Sequence, residues 1–318
     1  MNRKFEIIII DVFNLYYRNY HVQKNNFKEE CVELFQNVIL AFFTSIKKIM
    51  NKYGEQNTLY YFCFDNPHTN ENSRKFLYED YKKNRKEMSD NFYKWIKTLE
   101  LFLNNFNDNF RLVKIDFLEA DDYVIDIINK HKNQSIMVYS ADLDWSRSID
   151  DNILWYNGTY EYDIERYVNE FGFDPRNKKV VFYKALTGDV SDNIPNILKG
   201  ISKKIVKKIL EDFERIEDFL SDYEKLDYLS EHYKEIVKDN KKQIMINYQI
   251  ADYISIESHN ESIDNYTTIC KRNNNLLYLY SNTFKIDILK VFGEFNQKDT
   301  FSQFNFRKNK KLSKGKLF

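Results

Sequence analysis

Carboxylates recur at set places along this 318-residue chain. Asp11 follows the apolar run "FEIIII" (5–10), and Asp65 follows "TLYYFCF" (58–64). The run "SIMVYS" (135–140) leads into "SADLDW" (140–145), which holds Asp142 and Asp144. A further run, "FRLVKI" (110–115), is followed by "DFLEADD", which places Glu119, Asp121 and Asp122 at a helix start. Asp189 and Asp192 lie three apart in "LTGDVSDNIP" (186–195), so one turn of helix would set both on one face. Any one of these acids could be an ordinary cap, turn or first-turn residue. Capping does not ask for a pair such as "DLD", however, and clustered carboxylates repel unless cations sit between them. Many oxygens with no companion His or Cys cluster suit a hard cation, Mg²⁺ or Mn²⁺ rather than Zn²⁺. Two such ions about 3.5–4 Å apart are the usual device for cleaving a phosphodiester. The spacing supports no Ser/His/Asp or Cys/His triad, no P-loop and no dinucleotide fingerprint.

The four runs are short and rich in β-branched or aromatic residues, without strict alternation. They read as buried parallel strands. Helical stripes lie between them: Leu34, Phe35, Val38, Phe42, Ile46 and Ile49, then Phe92, Trp95, Ile96, Leu99, Phe102, Leu103 and Phe106. Strand–helix alternation predicts an α/β fold with a mostly parallel central sheet flanked by helices. Sites in such sheets sit at the carboxyl ends of the strands, so the acids should converge on one edge. A hydrophobic fraction of 43% supports a substantial core. The 48 basic and 48 acidic residues leave no net charge, so overall charge does not decide for or against a nucleic-acid partner. Cys31, Cys63 and Cys270 form no close pair, which fits a reducing, cytoplasmic compartment. The apolar start is too short for a signal peptide or a membrane span. Wealth in Asn, Lys, Ile, Tyr and Phe fits an AT-rich genome, as in a phage or a low-GC bacterium. There is no linker or repeat, and the second half reads mostly helical.

Six segments, in order, resemble the 5′ nuclease family: phage flap endonucleases, 5′–3′ exonucleases and the N-terminal nuclease domain of bacterial DNA polymerase I. They are "DVFNLYYRNYH" (11–21), "FD" (64–65), "YKKNR" (81–85), "EADD" (119–122), "SADLDW" and "LTGDVSDNIP", and the resemblance spans about residues 5 to 210. It implies a PIN-like or resolvase-like nuclease core over 1–187, with a helical arch at about 66–108. A helix–hairpin–helix and helical region would follow over 188–306, then a basic tail over 307–318. It further implies that Asp11, Asp65, Glu119, Asp121 and Asp142 hold one ion, with Asp122 as a secondary member. Asp144, Asp189 and Asp192 would hold a second, some through water. In the arch, Lys82 and Arg85 at helical spacing would reach the scissile phosphate. Tyr81 would stack on a displaced base, and Arg18 and Arg74 would contact DNA. The alternative is a solvated helix face, since Glu79, Asp80, Lys83 and Lys86 stand beside them. His21 and His68 are expected in ordinary hydrogen bonds and Trp145 in the core. Val12 stands where the family often has Gly, and Ser73 where it often has Phe.

Beyond the acids, "NILKGISKKIVKKIL" (196–210) sets Ile205, Val206, Ile209 and Leu210 on one face. Lys203, Lys204, Lys207 and Lys208 alternate with them, and Lys199 precedes. A turn at Gly200 feeding a helix N-terminus would offer backbone N–H groups to a phosphate. This resembles the family's helix–hairpin–helix duplex grip, with Ser202 in place of its second Gly. The resemblance extends to a K⁺ ion at the hairpin. An ordinary amphipathic surface helix is the alternative. Phosphate contacts here would make binding salt-dependent. "QFNF" (303–306) faintly resembles a clamp-binding peptide through which replication proteins could bind, though a disordered aromatic tail is the expectation.

The resulting expectation is a monomeric 5′ nuclease using two Mg²⁺ (or Mn²⁺) ions. Its substrates would be DNA with 5′ flaps, 5′ ends or RNA primers, cut to leave 5′-phosphate and 3′-hydroxyl ends in replication or repair. One rival is a PIN-type ribonuclease, which is typically much shorter. Another is a non-catalytic, structure-specific DNA-binding protein of the same fold, which predicts missing ligand acids. A third is a polymerase fragment, for which the chain leaves no room for a polymerase domain.

Overall fold

The computed structural model describes residues 3–65, 73–116, 118–256 and 260–292. The chain starts with β1 (Ile7–Asp11), α1 (Val12–Lys24), α2 (Val32–Tyr53), β2 (Leu59–Phe64), the short α3 (Ser73–Leu77) and α4 (Asp90–Asn104). Next come β3 (Phe110–Lys114), α5 (Ala120–Lys130), β4 (Ile136–Tyr139), a 3₁₀ turn (Leu143–Ser148), β5 (Ile153–Tyr156) and β6 (Glu161–Tyr162). Then follow α6 (Ile164–Phe171), α7 (Lys179–Thr187), α8 (Lys203–Asp212), α9 (Ile216–Asp222) and α10 (Glu231–Ala251). The last described elements are β7 (Thr267–Ile269), α11 (Asn274–Phe284) and α12 (Ile288–Phe292).

The seven strands form one sheet in the order β6-β5-β4-β1-β2-β3-β7. β1 to β5 are parallel, while β6 and β7 close the two edges antiparallel. Every residue of β1 is buried, as a strand covered on both faces requires. Its alternate residues feed two cores. Ile7 and Ile9 join Val124, Ile127 and Ile128 of α5, while Ile8 and Ile10 join the stripes of α2 and α4. Strand order reverses between β1 and β4, which opens a crevice at their carboxyl ends. Asp11 and Asp142 stand on its two sides.

All four expected strands are present. The sheet also holds β5, β6 and β7, which are four, two and three residues long and too short to show a pattern. Two expected boundaries need correcting. Within the segment 66–108, α4 is not arch: Phe92, Ile96, Leu99, Phe102 and Leu103 are buried, and α4 is the crossover from β2 to β3. The described residues beyond 188 are not all helical, and some of them join the sheet and its core. β7 pairs with β3, and Leu277, Ile286, Ile288 and Leu289 pack into the same core as α2. "QFNF" and the basic tail lie outside the described residues, as does His68. Among the described residues, no helix is long and apolar enough to cross a membrane.

Asp189 and Asp192 do not share a helix face. α7 ends at Gly188, whose φ of +69° and ψ of −179° suit glycine alone. A Cβ there would lie 2.5 Å from the Asn196 nitrogen. The chain then makes a tight loop closed by reciprocal backbone hydrogen bonds between Asp189 and Ile194. Asn247 of α10 holds this loop from below. Its fully buried amide donates to the Ala185 and Pro195 carbonyls (3.1 and 2.9 Å). Asn247→Ala should therefore lower the unfolding free energy by about 2 kcal/mol, since two buried carbonyls lose their donor. Urea melts would measure this, and a loss below about 0.5 kcal/mol would contradict the pinning role.

Candidate active site

The acids meet at the carboxyl edge of the sheet, and local structure aims each one. Asp11 caps α1, with Oδ1 accepting from the Asn14 amide (2.9 Å), while Oδ2 accepts from the Ser140 hydroxyl (2.7 Å). Asp65, one residue past β2, accepts from the Ala120 amide (2.7 Å), which ties β2 to the start of α5. Glu119 and Asp122 form a capping box on α5, the Asp122 Oδ2 accepting from the Glu119 amide (3.1 Å). Asp142 caps the 3₁₀ turn by accepting from the Asp144 amide (3.1 Å). The capping alternative is thus true of several of these acids, and it is also what orients them.

Carboxylate oxygens gather in two groups of three, each within 4.8 Å: Glu119, Asp121 and Asp122, then Asp144, Asp189 and Asp192. The second group is the second-ion set expected from the sequence. Asp65 and Asp142 lie close enough to these groups to feel their charge, and Asp11 feels that of Asp65 and Asp142. Among the described residues, five cations thread the cluster. Arg74 is 1% exposed and pairs with Glu119 (2.7 Å), Asp121 (3.5 Å) and Asp122 (2.5 Å). Arg147 pairs with Asp121 (2.9 Å). Lys184 of α7 bridges Asp144 and Asp189. Lys82 lies 2.5 Å from Glu119 and 3.9 Å from Asp192, between the two groups. Arg85 pairs with Asp192 (2.6 Å).

Three expectations for the arch segment need correcting. Lys82 and Arg85 are not on a helix. Residues 79–84 form turns, Lys82 has φ +56°, and its amide donates to the Asp192 carbonyl (3.0 Å). Asn84 and Arg85 donate to the Val190 and Ser191 carbonyls, zipping this segment onto the Asp189–Asp192 loop. Tyr81 is 1% exposed, its hydroxyl held between Arg74 and Glu119, so its ring is not open for base stacking. Arg74 is likewise committed to carboxylates rather than exposed to a phosphate.

The other expected residues stand apart from the acids. Arg18 is half-buried on α1 and donates to the Asn157 carbonyl (3.2 Å). Lys199, Gly200, Lys203 and Lys204 are exposed around the start of α8. Lys207 is half-buried, its side chain lying over Gly172. Ser202 caps α8 by accepting from the Ile205 amide (3.3 Å), so the departure from glycine supplies a cap. Trp145 is in the core and His21 makes a tilted ring contact with Tyr17. The sequence reading missed Lys184, Arg147 and Ser140. Lys184 sits five residues before Asp189, and Arg147 three after Asp144, spacings that look like any surface helix.

Electrostatics divide the acids. Burial, with the charge of Asp65 added, pushes Asp11 well above the carboxylate range. Burial and Glu119 push Asp65 up to about 6. Burial opposes ionisation of Glu119 too, but Lys82 and Arg74 hold it below its usual value. Arg74 and Arg147 likewise overcome burial at Asp121, and Lys184 does so at Asp189, held at about 2. If all ionise, nine carboxylates face five cations among the described residues, an excess of four negative charges there. Oxygen donors with that excess fit two divalent ions such as Mg²⁺ or Mn²⁺.

A mixed α/β sheet, parallel at its centre, with two acid groups at its switch point is a fold suited to metal-assisted hydrolysis. Residues 6–172 match the family model for "5'-3' exonuclease, N-terminal resolvase-like domain". The chain belongs to this 5′–3′ exonuclease family, a family of nucleases that includes flap endonucleases. It is 29% identical over 247 residues to a 5′–3′ exonuclease of Mycoplasmopsis pulmonis, covering 76% of this chain and 77% of that one. It is 28% identical over 264 residues to DNA polymerase I of Caldicellulosiruptor bescii, covering 78% of this chain but only 29% of the polymerase. A flap endonuclease of bacteriophage T5, solved with DNA and metal ions, superposes with a TM-score of 0.59 at 19% identity, covering 90% and 98% of the two chains.

A pH dependence follows. Asp65 titrates at about 6 in the folded chain against 3.8 unperturbed, so the folded state holds the extra proton between these values. Its ionisation therefore costs stability as pH rises through that window, and raised Asp11 adds to the cost. In chelator, the melting temperature should fall between pH 5 and 7.5, and Mg²⁺ should recover it at pH 7.5. A flat or rising melting temperature in chelator would contradict this.

Proposed function

We propose that this chain hydrolyses DNA phosphodiesters near 5′ ends, flaps or RNA primers, leaving 5′-phosphate and 3′-hydroxyl ends. The observation that carries the reading is the pair of three-carboxylate groups with Lys82 between them. Asp11, Asp65, Glu119, Asp121 and Asp142 would hold one Mg²⁺ or Mn²⁺ ion. Asp144, Asp189 and Asp192 would hold the other. Bound there, the ions would supply the positive charge that eases deprotonation of the attacking water and steadies the leaving oxygen.

The chain's own residues do the rest. Lys82 and Arg74 keep Glu119 ionised, Arg74 and Arg147 do so for Asp121, and Lys184 does the same for Asp189, so these oxygens are ready for a cation at neutral pH. Tyr81 and Arg74 fix the position of the Glu119 carboxylate. Lys82 and Arg85 trade their carboxylate partners for phosphate oxygens when a strand enters, offsetting charge that grows in the transition state. The Lys82 amide and the Arg85 guanidinium donate to carbonyls of one short loop, which ties this stretch of backbone to it. Lys203 and Lys204, at the capped start of α8, meet phosphates of the uncut duplex.

The test is cleavage of a labelled 5′-flap duplex with Mg²⁺. Wild type should release the flap, and chelator should stop it. Asp142→Asn should lose at least about 100-fold in rate, and Lys82→Ala a similar factor in kcat with little change in KM. A wild type that cuts nothing, or an Asp142→Asn enzyme with normal rates, would sink the mechanism. If Lys82→Ala raises only KM, the lysine is a binding contact.

A further inference from the structure

Two stretches far apart in the chain meet at the acids. The turn from Asp80 to Arg85 carries Lys82, and the loop from Asp189 to Ile194 carries Asp189 and Asp192. Each stretch reaches across to the other with an asparagine. The Asn84 carboxamide donates to the Val190 carbonyl (2.9 Å), and the Asn193 carboxamide donates to the Asp80 carbonyl (2.8 Å). Between them in sequence, the Lys82 amide donates to the Asp192 carbonyl (3.0 Å). Arg85 Nε completes the seam with a bond to the Ser191 carbonyl (3.3 Å). All four bonds end on main-chain oxygens, so they hold the backbone of one stretch against the other.

The seam passes through two residues in unusual conformations. Lys82 has φ +56° and Asn193 has φ +58°. A lysine is uncommon in the left-handed region and stays there only where its surroundings over-determine it. Here the facing loop does so, through the amide of Lys82 itself and through the two asparagines on either side. Asparagine tolerates that region better. At position 193 its amide reaches across the seam instead of bonding locally.

We propose that Asn84 and Asn193 are positioning residues that clasp this turn to the Asp189–Ile194 loop, and so set the ammonium of Lys82 in register with the second carboxylate group. The inference rests on the nuclease reading above for the role of Lys82. Neither asparagine touches the reacting phosphate. Their effect is to fix the backbone that bears the lysine relative to the backbone that bears Asp189 and Asp192. A cation aimed at a phosphate and the oxygens that would hold an ion beside it then keep one arrangement, which is what orientation at a reacting centre requires.

Two readouts separate the clasp from the chemistry. Asn193→Gly is the informative variant, because glycine accepts the left-handed backbone and loses only the amide. Asn84→Ala removes the tie from the other side, at an exposed position. The first readout is limited trypsin digestion in chelator, with the cuts mapped by mass spectrometry. Lys82, Lys83, Arg85 and Lys86 offer tryptic sites in this stretch. Cleavage there should be about fivefold faster in either variant than in wild type, with cuts elsewhere unchanged. The second readout is cleavage of the labelled 5′-flap duplex with Mg²⁺. Each variant should lose about 10- to 100-fold in kcat with little change in KM. On a Lys82→Ala background, Asn193→Gly should cost nothing further, since the side chain it positions is already gone. Unchanged trypsin rates in both variants would overturn the clasp, whether or not wild type cuts DNA. Faster trypsin cuts with wild-type kcat would overturn the positioning role, and so would a full further loss on the Lys82→Ala background. A wild type that cuts no DNA would overturn the nuclease reading and the role of Lys82 with it, while the digestion still decides the clasp.

Discussion

Like charge held at close range is the constraint on which this molecule turns. Nine carboxylates converge at one sheet edge, most of them out of reach of bulk water. Burial alone penalises each ionised oxygen, and each neighbour adds to the penalty. The chain answers with cations drawn from four separate places. Arg74 comes from α3, Arg147 from the 3₁₀ turn, Lys184 from α7, and Lys82 and Arg85 from the turn after α3. Even so, the negative charge is left in excess. That imbalance suits the edge to divalent cations rather than to a closed salt-bridge network.

Placement of the acids follows from ordinary secondary-structure physics. A parallel strand buried on both faces must end at the sheet edge, and the helix that follows it needs a cap. An aspartate at that junction serves both needs. At Asp11 one oxygen satisfies the amide of Asn14 and the other meets Ser140. At Asp122 one oxygen closes the capping box while the other meets Arg74. The caps hold the carboxylates without the loop entropy that a flexible side chain would lose on binding a metal. Below them, Asn247 and Gly188 fix the one loop that brings Asp189 and Asp192 into reach.

Much of this was legible in the sequence, for a physical reason. The four runs could be read as strands because both faces of the sheet are covered. The acids could be read as a site because they punctuate those runs. The segment from Tyr81 to Arg85 was read less well. "EDYKKNR" offers helical spacing, but Asp80 and Asn84 are turn formers, and the positive φ at Lys82 is visible only in three dimensions. Tyr81 was read as an exposed platform because an aromatic beside cations looks the same whether its hydroxyl or its ring is in use. Lys184 and Arg147 carried no signal, since what distinguishes them is burial against acids far along the chain. β7 was invisible for the same kind of reason: "TTI" becomes a strand only because β3 offers it an edge.

The central claim is that the two carboxylate groups hold two divalent ions. Counting bound Mn²⁺ by electron paramagnetic resonance tests it directly. Wild type should bind two Mn²⁺ per chain, and the double substitution Asp144→Asn with Asp189→Asn should bind one. A wild type that binds none, or a double variant that still binds two, would contradict the account.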